Sequence, residues 1–179
     1  MDEKEVLFMI KMLTTQLSGA FERIYEKEEL RIEDAARALS QAIVGEGHVY
    51  VIGTGEMRAL HDEVESGPEA LPKTTLYTDD TNLSHIDRVI IASRYANDEE
   101  ALALTKKVQA QDAQVIHISA SIKEGNPIQE LADFYIDTHI SGPMLPFDMD
   151  RIGFPSIMGM LYVYHALFVI TKEIISEYE

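Results

Sequence analysis

Apolar residues in the first quarter of the chain recur at helical spacing. Val6, Ile10, Leu13, Leu17, Phe21 and Ile24 fall three or four apart, one stripe of an amphipathic helix. The charged stretch EKEEL (Glu26 to Leu30) follows. A second stripe, Ile32, Ala35, Ala36, Leu39 and Ile43, predicts a second helix, ended by Gly45–Glu46–Gly47. Beyond Gly47 the rhythm changes. HVYVIG (His48 to Gly53) is β-branched and aromatic, and GTGEMRALHDEVES (Gly53 to Ser66) reads as a tight turn opening a helix. TTLYT (Thr74 to Thr78), RVIIAS (Arg88 to Ser93), AQVIHIS (Ala113 to Ser119) and DFYIDT (Asp133 to Thr138) predict four more strands. Between them lie helices at Asp98–Gln109 and Asn126–Ala132, the latter with Asn126 as cap and Pro127 in its first turn. A loop with Pro and Gly, Ser141 to Pro155, leads to a long final helix.

Strands alternating with helices imply a five-stranded parallel sheet covered on both faces. The expectation is one domain over residues 1–179, with N-terminal helices in 1–45 and an α/β core and C-terminal helix in 46–179. Ligands of such sheets collect outside the carboxyl ends of the strands. That singles out residues 53–58, 78–82, 93–100, 119–124 and 139–146.

Charge narrows the partners. Fifteen Lys and Arg against 31 Asp and Glu give a net charge of −16, which repels nucleic acid and anionic membrane. A small anion is not excluded, because a few backbone N–H groups and one cation reverse the local field. There is no cysteine, hence no disulfide, thiolate nucleophile or Cys-based zinc site, which fits a reducing cytoplasm. The opening residues are acidic and lack the basic region of a signal peptide. The apolar run Gly159 to Ile170 is too short to span a bilayer and holds His165. A cytoplasmic protein without a membrane partner is expected.

The segment IEDAARALSQAIVGEGHVYVIGTGEMRAL (Ile32 to Leu60) resembles the entry of the SIS family, the sugar isomerase domain of phosphosugar isomerases and phosphosugar-binding regulators. DRVIIASRYANDEEALALTKKVQAQDAQVIHISAS (Asp87 to Ser121) looks like that family's strand, Ser-rich loop, helix and next strand. NPIQELADFYIDT (Asn126 to Thr138) resembles the segment after it. The resemblance implies a flavodoxin-like three-layer α/β/α sandwich, a sugar phosphate or related anion as ligand, and a dimer or tetramer.

Two departures touch the chemistry. The family's third-strand loop, Ser-x-Ser-Gly-x-Thr-x-Glu, cradles a phosphate. Here Ser93 keeps the first serine's place and Glu100 the glutamate's, but Tyr95, Ala96 and Asp98 replace serine, glycine and threonine. Two hydroxyl donors are lost, and Asp98 adds negative charge, though it is also a good N-cap. In the first loop Gly53, Thr54 and Gly55 hold the turn, and Met57 stands where serine is common.

Other segments resemble phosphoheptose isomerases within the family. HDEVESG (His61 to Gly67) is similar to a His-x-x-Glu-Glu-x-x-Gly segment with one residue fewer, and VYHAL (Val163 to Leu167) to the setting of a histidine. The resemblance implies a glutamate, Glu63 or Glu65, and His165 as the proton-transfer pair of an aldose–ketose isomerisation. The bland alternatives are a core histidine at 165 and a solvated acidic face at 62–65. His61 is a candidate by position. Ser93, Arg94, Asn97, Ser119 and Ser121 are ligand candidates at strand ends, and Arg58 and Arg94 are cations able to meet an anion. Tyr95 either closes the pocket or stacks on a sugar. Thr78 to Asn82 (TDDTN) reads as a turn. His48, His85, His117 and His139 lack metal-ligand spacing, so no metal and no cofactor is expected. The resulting expectation is a SIS-type carbohydrate-derivative binding protein without catalysis, the alternative being a phosphosugar isomerase.

Overall fold

The two stripes lie on one helix. In the computed structural model, which describes residues 3–178, α1 runs unbroken from Glu3 to Val44. The expected pair of N-terminal helices is thus corrected to one; the side chain of Val6 lies outside the described residues. Nothing in Glu26–Leu30 breaks a helix, since Glu, Lys and Leu are good helix formers. The buried series in fact continues through it as Ile24, Glu28, Ile32, Ala35, Leu39 and Ile43. A carboxylate, 1% exposed, fills a core position.

Glu28 is buried where α1 meets the outer edge of the sheet. Its carboxylate accepts from Arg31 Nη1 (3.0 and 2.9 Å), His139 Nε2 (2.8 Å) and the backbone N–H of Asp137 (3.3 Å). The last donor belongs to an edge strand, so Glu28 covers a group that would otherwise invite pairing. His139, at φ +53°, is turned toward α1, and its own N–H donates to Asp137 Oδ1 at 2.7 Å.

Five parallel strands, β1 (Val49–Gly53), β2 (Thr74–Leu76), β3 (Arg88–Tyr95), β4 (Gln114–Ala120) and β5 (Phe134–Asp137), stand in the order β2-β1-β3-β4-β5. Alternation along each strand sends Ile90, Ile116 and Ile136 into one core and Val89, Ile91 and Val115 into the other. The first core is shared with α1, with α2 (Ala59–Ser66) and with α5 (Ser156–Ser176). The second is shared with α3 (Glu99–Gln109) and α4 (Pro127–Leu131). The three-layer sandwich is the expected one, and β1 and β3 flank its switch point.

Three local details differ from the sequence reading. The helix after Gly53 begins as a 3-10 turn, Gly55–Arg58. Asn126 makes no cap bond; its amide instead closes a loop through the backbone of Ile122. The Ser141–Pro155 loop holds a hairpin, β6 (Leu145–Phe147) and β7 (Asp150–Ile152), turning at Asp148 with φ +50°. Strands of three residues, one containing Pro146, are too short to carry a readable period.

α5 runs parallel to α1, with Phe21 stacked on Tyr162 (centroids 4.8 Å, planes 7° apart). By length and composition α5 could cross a membrane. In the fold it is a core helix, with Met160, Val163, Tyr164, Leu167 and Ile175 in the first core.

Burial alone would raise the Glu28 pKa, but hydrogen bonds from His139, Arg31 and the Asp137 backbone outweigh it and hold the carboxyl below its ordinary value. Replacing Glu28 by Ala leaves those donors unpaired and is expected to cost about 3 kcal/mol in urea unfolding at neutral pH. For a depressed carboxylate, the stabilisation is present above the unfolded pKa of about 4.3 and is lost as pH falls through the lower folded value. The stability gap between wild type and Glu28→Gln should therefore narrow below about pH 4. A gap unchanged down to pH 2.5 (on the order of two units below the unfolded value) would contradict this.

Candidate functional site

At the carboxyl end of β1 the chain turns under close steric control. A Cβ on Gly53 would lie 2.1 Å from the carbonyl oxygen of Met57, so the 3-10 turn can fold back only over a glycine. Gly55 takes φ +52°. The N–H of Gly53 donates to His61 Nε2 at 2.9 Å, which places the ring proton of neutral His61 on Nδ1 and ties α2 to the strand end. Thr54, 3% exposed, donates its N–H to Ala92 O (2.9 Å) and its hydroxyl to Asp98 Oδ1 (3.3 Å). Arg58 is exposed and faces Glu100 at 3.7 Å.

The β3 loop has its polar groups committed inward. Ser93 is buried, and its hydroxyl donates to Tyr95 O at 2.8 Å. That spends its one proton, so the 3.0 Å contact with His117 Nε2 is a hydrogen bond from the ring. His117 is fully enclosed. Burial pulls its pKa down to about 3, so the ring is neutral, and its Nδ1 has no hydrogen-bond partner among the described residues. Ala96 is buried; its N–H donates to Ala120 O and its carbonyl accepts from Ile128, which fixes the loop to β4 and α4. Asp98 caps α3 through Oδ1, accepting from Ala101 N at 2.8 Å. Asn97 is exposed. A carboxylate of the chain itself thus stands at the α3 N-terminus.

A second carboxylate sits across the mouth. Glu56, in the 3-10 turn, accepts from Arg94 Nε at 2.5 Å and Nη2 at 2.8 Å, and from Ser156 Oγ, at the start of α5, at 3.1 Å. Hydrogen bonds from Arg94 outweigh the effect of burial and lower the Glu56 pKa, and the same bonds raise that of Arg94. The guanidinium lies 6.0 Å from the Tyr95 ring and 5.7 Å from that of Phe154. Tyr95 spans the loops, its hydroxyl donating to Ser141 O at 3.3 Å.

Further along the sheet edge, Ser119 and Ser121 share Tyr135. The Ser119 hydroxyl lies 3.3 Å and that of Ser121 3.1 Å from the Tyr135 oxygen, and the tyrosine donates to Ser119 O at 3.2 Å. Burial pushes the Tyr135 pKa up to about 12, so the phenol remains protonated. The Thr78–Asn82 segment is a hydroxyl-bonded turn, with Thr78 N–H donating to Thr81 Oγ1 at 2.9 Å.

The candidate proton-transfer residues lie elsewhere. Glu63 Oε1 is 3.7 Å from His165 Nε2, whereas Glu65 is exposed. His165 Nδ1 donates to Leu161 O at 2.8 Å, which turns Nε2 toward Glu63. Gly67 makes room for this glutamate, since a Cβ there would meet the Glu63 carboxylate at 2.7 Å. His165 is half exposed and lies nine residues along α5 from Ser156, about 13 Å. Among the described residues neither Glu63 nor His165 makes a hydrogen bond or ion pair with the β3 loop. Among the described residues no group of three or more His, Asp or Glu side chains is arranged to hold a metal ion.

Sequence reasoning passed over Glu28, Glu56 and the Ser93–His117 bond. A helical period that tolerates one charged member would have found Glu28. Only tertiary structure brings Glu56 to Arg94, 38 residues away.

Residues 9–175 match the family profile described as Domain of unknown function (DUF2529). The uncharacterized protein YwjG of Bacillus subtilis (strain 168) is 36% identical over 172 residues, spanning 95% of this chain and 99% of that protein. Among solved structures, a putative phosphosugar isomerase involved in capsule formation from Bacteroides fragilis NCTC 9343 superposes with a TM-score of 0.72 at 14% identity, over 95% of this chain and 89% of that one. A putative sugar-phosphate isomerase from Listeria monocytogenes gives 0.67 at 17%, over 97% and 93%. The phosphoheptose isomerase of Neisseria gonorrhoeae gives 0.64 at 13%, over 93% and 99%. At such identities these structures speak for the fold, and the sheet order and long closing helix agree with them. The chain belongs to the DUF2529 family and is built on the SIS fold.

Proposed function

We propose that this chain is a non-catalytic SIS-fold protein that binds a carbohydrate derivative at the carboxyl ends of β1 and β3 without gripping a phosphate. The observation that carries the proposal is Asp98, whose carboxylate takes the α3 N-terminus. With Glu99 and Glu100 in the same first turn, a phosphate dianion would meet like charge where it needs donors. The phosphosugar isomerases that share the fold support a carbohydrate as the ligand class.

Thermal-shift titration against matched pairs of sugars and sugar phosphates tests this. Wild type should show no saturable shift that depends on the phosphate. Tyr95→Ser/Ala96→Gly/Asp98→Thr, which restores the hydroxyls and the glycine, should acquire one, worth roughly 2.7 kcal/mol at a hundredfold the Kd. A phosphate-dependent shift in wild type would end the proposal.

One observation favours the isomerase alternative, the 3.7 Å approach of Glu63 to His165. Aldose–ketose isomerisation through an enediol exchanges the C2 proton with solvent. Incubation of sugar phosphates with the protein in D2O is expected to leave C2 unlabelled by NMR. Deuterium incorporation that His165→Ala abolishes would establish the enzyme instead.

A second copy is proposed as protein partner. Thr15 of α1 lies as far before Phe21 as Ser156 lies before Tyr162, so residues 3–14 extend past the start of α5. The apolar stripe goes with them. Ile24 is buried, Phe21, Leu17 and Leu13 are half buried, and Ile10 is 56% exposed beside Leu7 and Phe8. Residues 3–14 balance Glu3 and Glu5 with Lys4 and Lys11, so two chains of net −16 can meet there. Sedimentation equilibrium should give a multiple of 20.2 kDa, and Phe8→Ser/Ile10→Ser should reduce it to a single chain. A monomeric wild type would refute the partner.

A further inference from the structure

We infer that Arg94 is a receptor for a ligand carboxylate and that Glu56 is its built-in occupant, displaced when a carboxylate-bearing carbohydrate enters the mouth. The inference rests on the non-phosphate binding reading and gives it a ligand class. The fork of Arg94, Nε and Nη2, meets both oxygens of Glu56 at 2.5 and 2.8 Å. That parallel pair of bonds is the geometry in which a guanidinium holds two oxygens of one anion, carboxylate or phosphate, and the anion it holds here is a carboxylate. Nη1 has no hydrogen-bond partner among the described residues, so it is available to a ligand hydroxyl. Tyr95 and Phe154 stand near the guanidinium with centroids 6.2 Å apart, offering aromatic faces to the C–H surface of a sugar.

The pair is reachable. Arg94 is 47% and Glu56 27% exposed at the side chain, and Glu56 is carried by a 3-10 turn of four residues, Gly55–Arg58, whose first residue is a glycine. Charge sets the preference among anions. A monoanionic carboxylate that exchanges with Glu56 leaves the balance at Arg94 unchanged, whereas a phosphate dianion adds a charge close to Asp98, whose Oδ1 already accepts from Thr54. The exchange has a structural consequence. Glu56 also holds Ser156 Oγ, so its departure frees the start of α5 from the β1 loop.

The experiment is chemical rescue. Glu56→Ala is titrated with sodium acetate and sodium gluconate against sodium chloride at equal ionic strength, with melting temperature as the reading. Gluconate should raise the melting temperature of this variant saturably, by about 2–4 °C at some five times the Kd, and should raise that of Glu56→Ala/Arg94→Ala no more than chloride does. If Glu56→Ala does not fold, Glu56→Gln, which keeps the side-chain length, is titrated in its place. A response equal to chloride in the single variant, or a gluconate response that persists without Arg94, overturns the inference. Inorganic phosphate separates the two proposals. A phosphate response that requires Arg94 and exceeds that of gluconate overturns the carboxylate assignment and counts against the non-phosphate reading. A response to neutral sugars alone removes the receptor role of Arg94 and leaves the binding reading standing.

Discussion

The buried carboxylate of Glu28 is the contact on which the frame depends. It is the point where a 42-residue helix is fixed to the edge of a parallel sheet. An edge strand needs its outward N–H groups covered, and a helix about 60 Å long needs an anchor along its length. One side chain serves both. The same carboxylate holds the His139 ring, and through it the chain between β5 and Ser141. Ser141 in turn offers the carbonyl that takes the Tyr95 hydroxyl. The Tyr95 side chain at the mouth is thereby connected, link by link, to the α1–β5 junction.

Carboxylates are used in the same way at the other strand ends. A helix N-terminus and an arginine at the switch point of an α/β sheet both call for an anion. Asp98 and Glu56 supply it from within the chain, and Ser93, the one hydroxyl kept from the family's loop, is occupied with His117 and Tyr95 O. The loop is therefore held by the chain's own groups. A loop that had simply lost its hydroxyls would leave donors facing solvent without partners. Here the donors are met by groups of matching charge and geometry.

How far the sequence could be read follows from the range of the interactions. The strands, the parallel order implied by their alternation with helices, the glycine turn after β1 and the Asp98 cap all depend on neighbours within a few residues, and each is legible. The break between two N-terminal helices was misread because a charged stretch resembles a surface linker. The core position of Glu28 is settled by His139 and Asp137, more than a hundred residues away. The hairpin at Leu145–Ile152 was missed because a three-residue strand has too few positions for a period. At the site, resemblance placed Glu63 and His165 near one another, yet nothing local gives the distance between that pair and the β3 loop. That distance is set by the length of α5.

That distance also bears on what the fold can do. Proton transfer between C1 and C2 requires the base, the acid and the group that grips the substrate to act on one molecule at once. Here Nε2 of His165 points toward Glu63 on one flank of α5, while Arg94, held in a carboxylate fork by Glu56, lies at the start of the same helix, where Glu56 also meets Ser156. Nine residues of α5, a rise of about 13 Å, separate Ser156 from His165. The frame thus carries two groups of polar side chains, Arg94 with Glu56 at the mouth and Glu63 with His165 on the flank of α5, and among the described residues no hydrogen bond or ion pair joins one to the other.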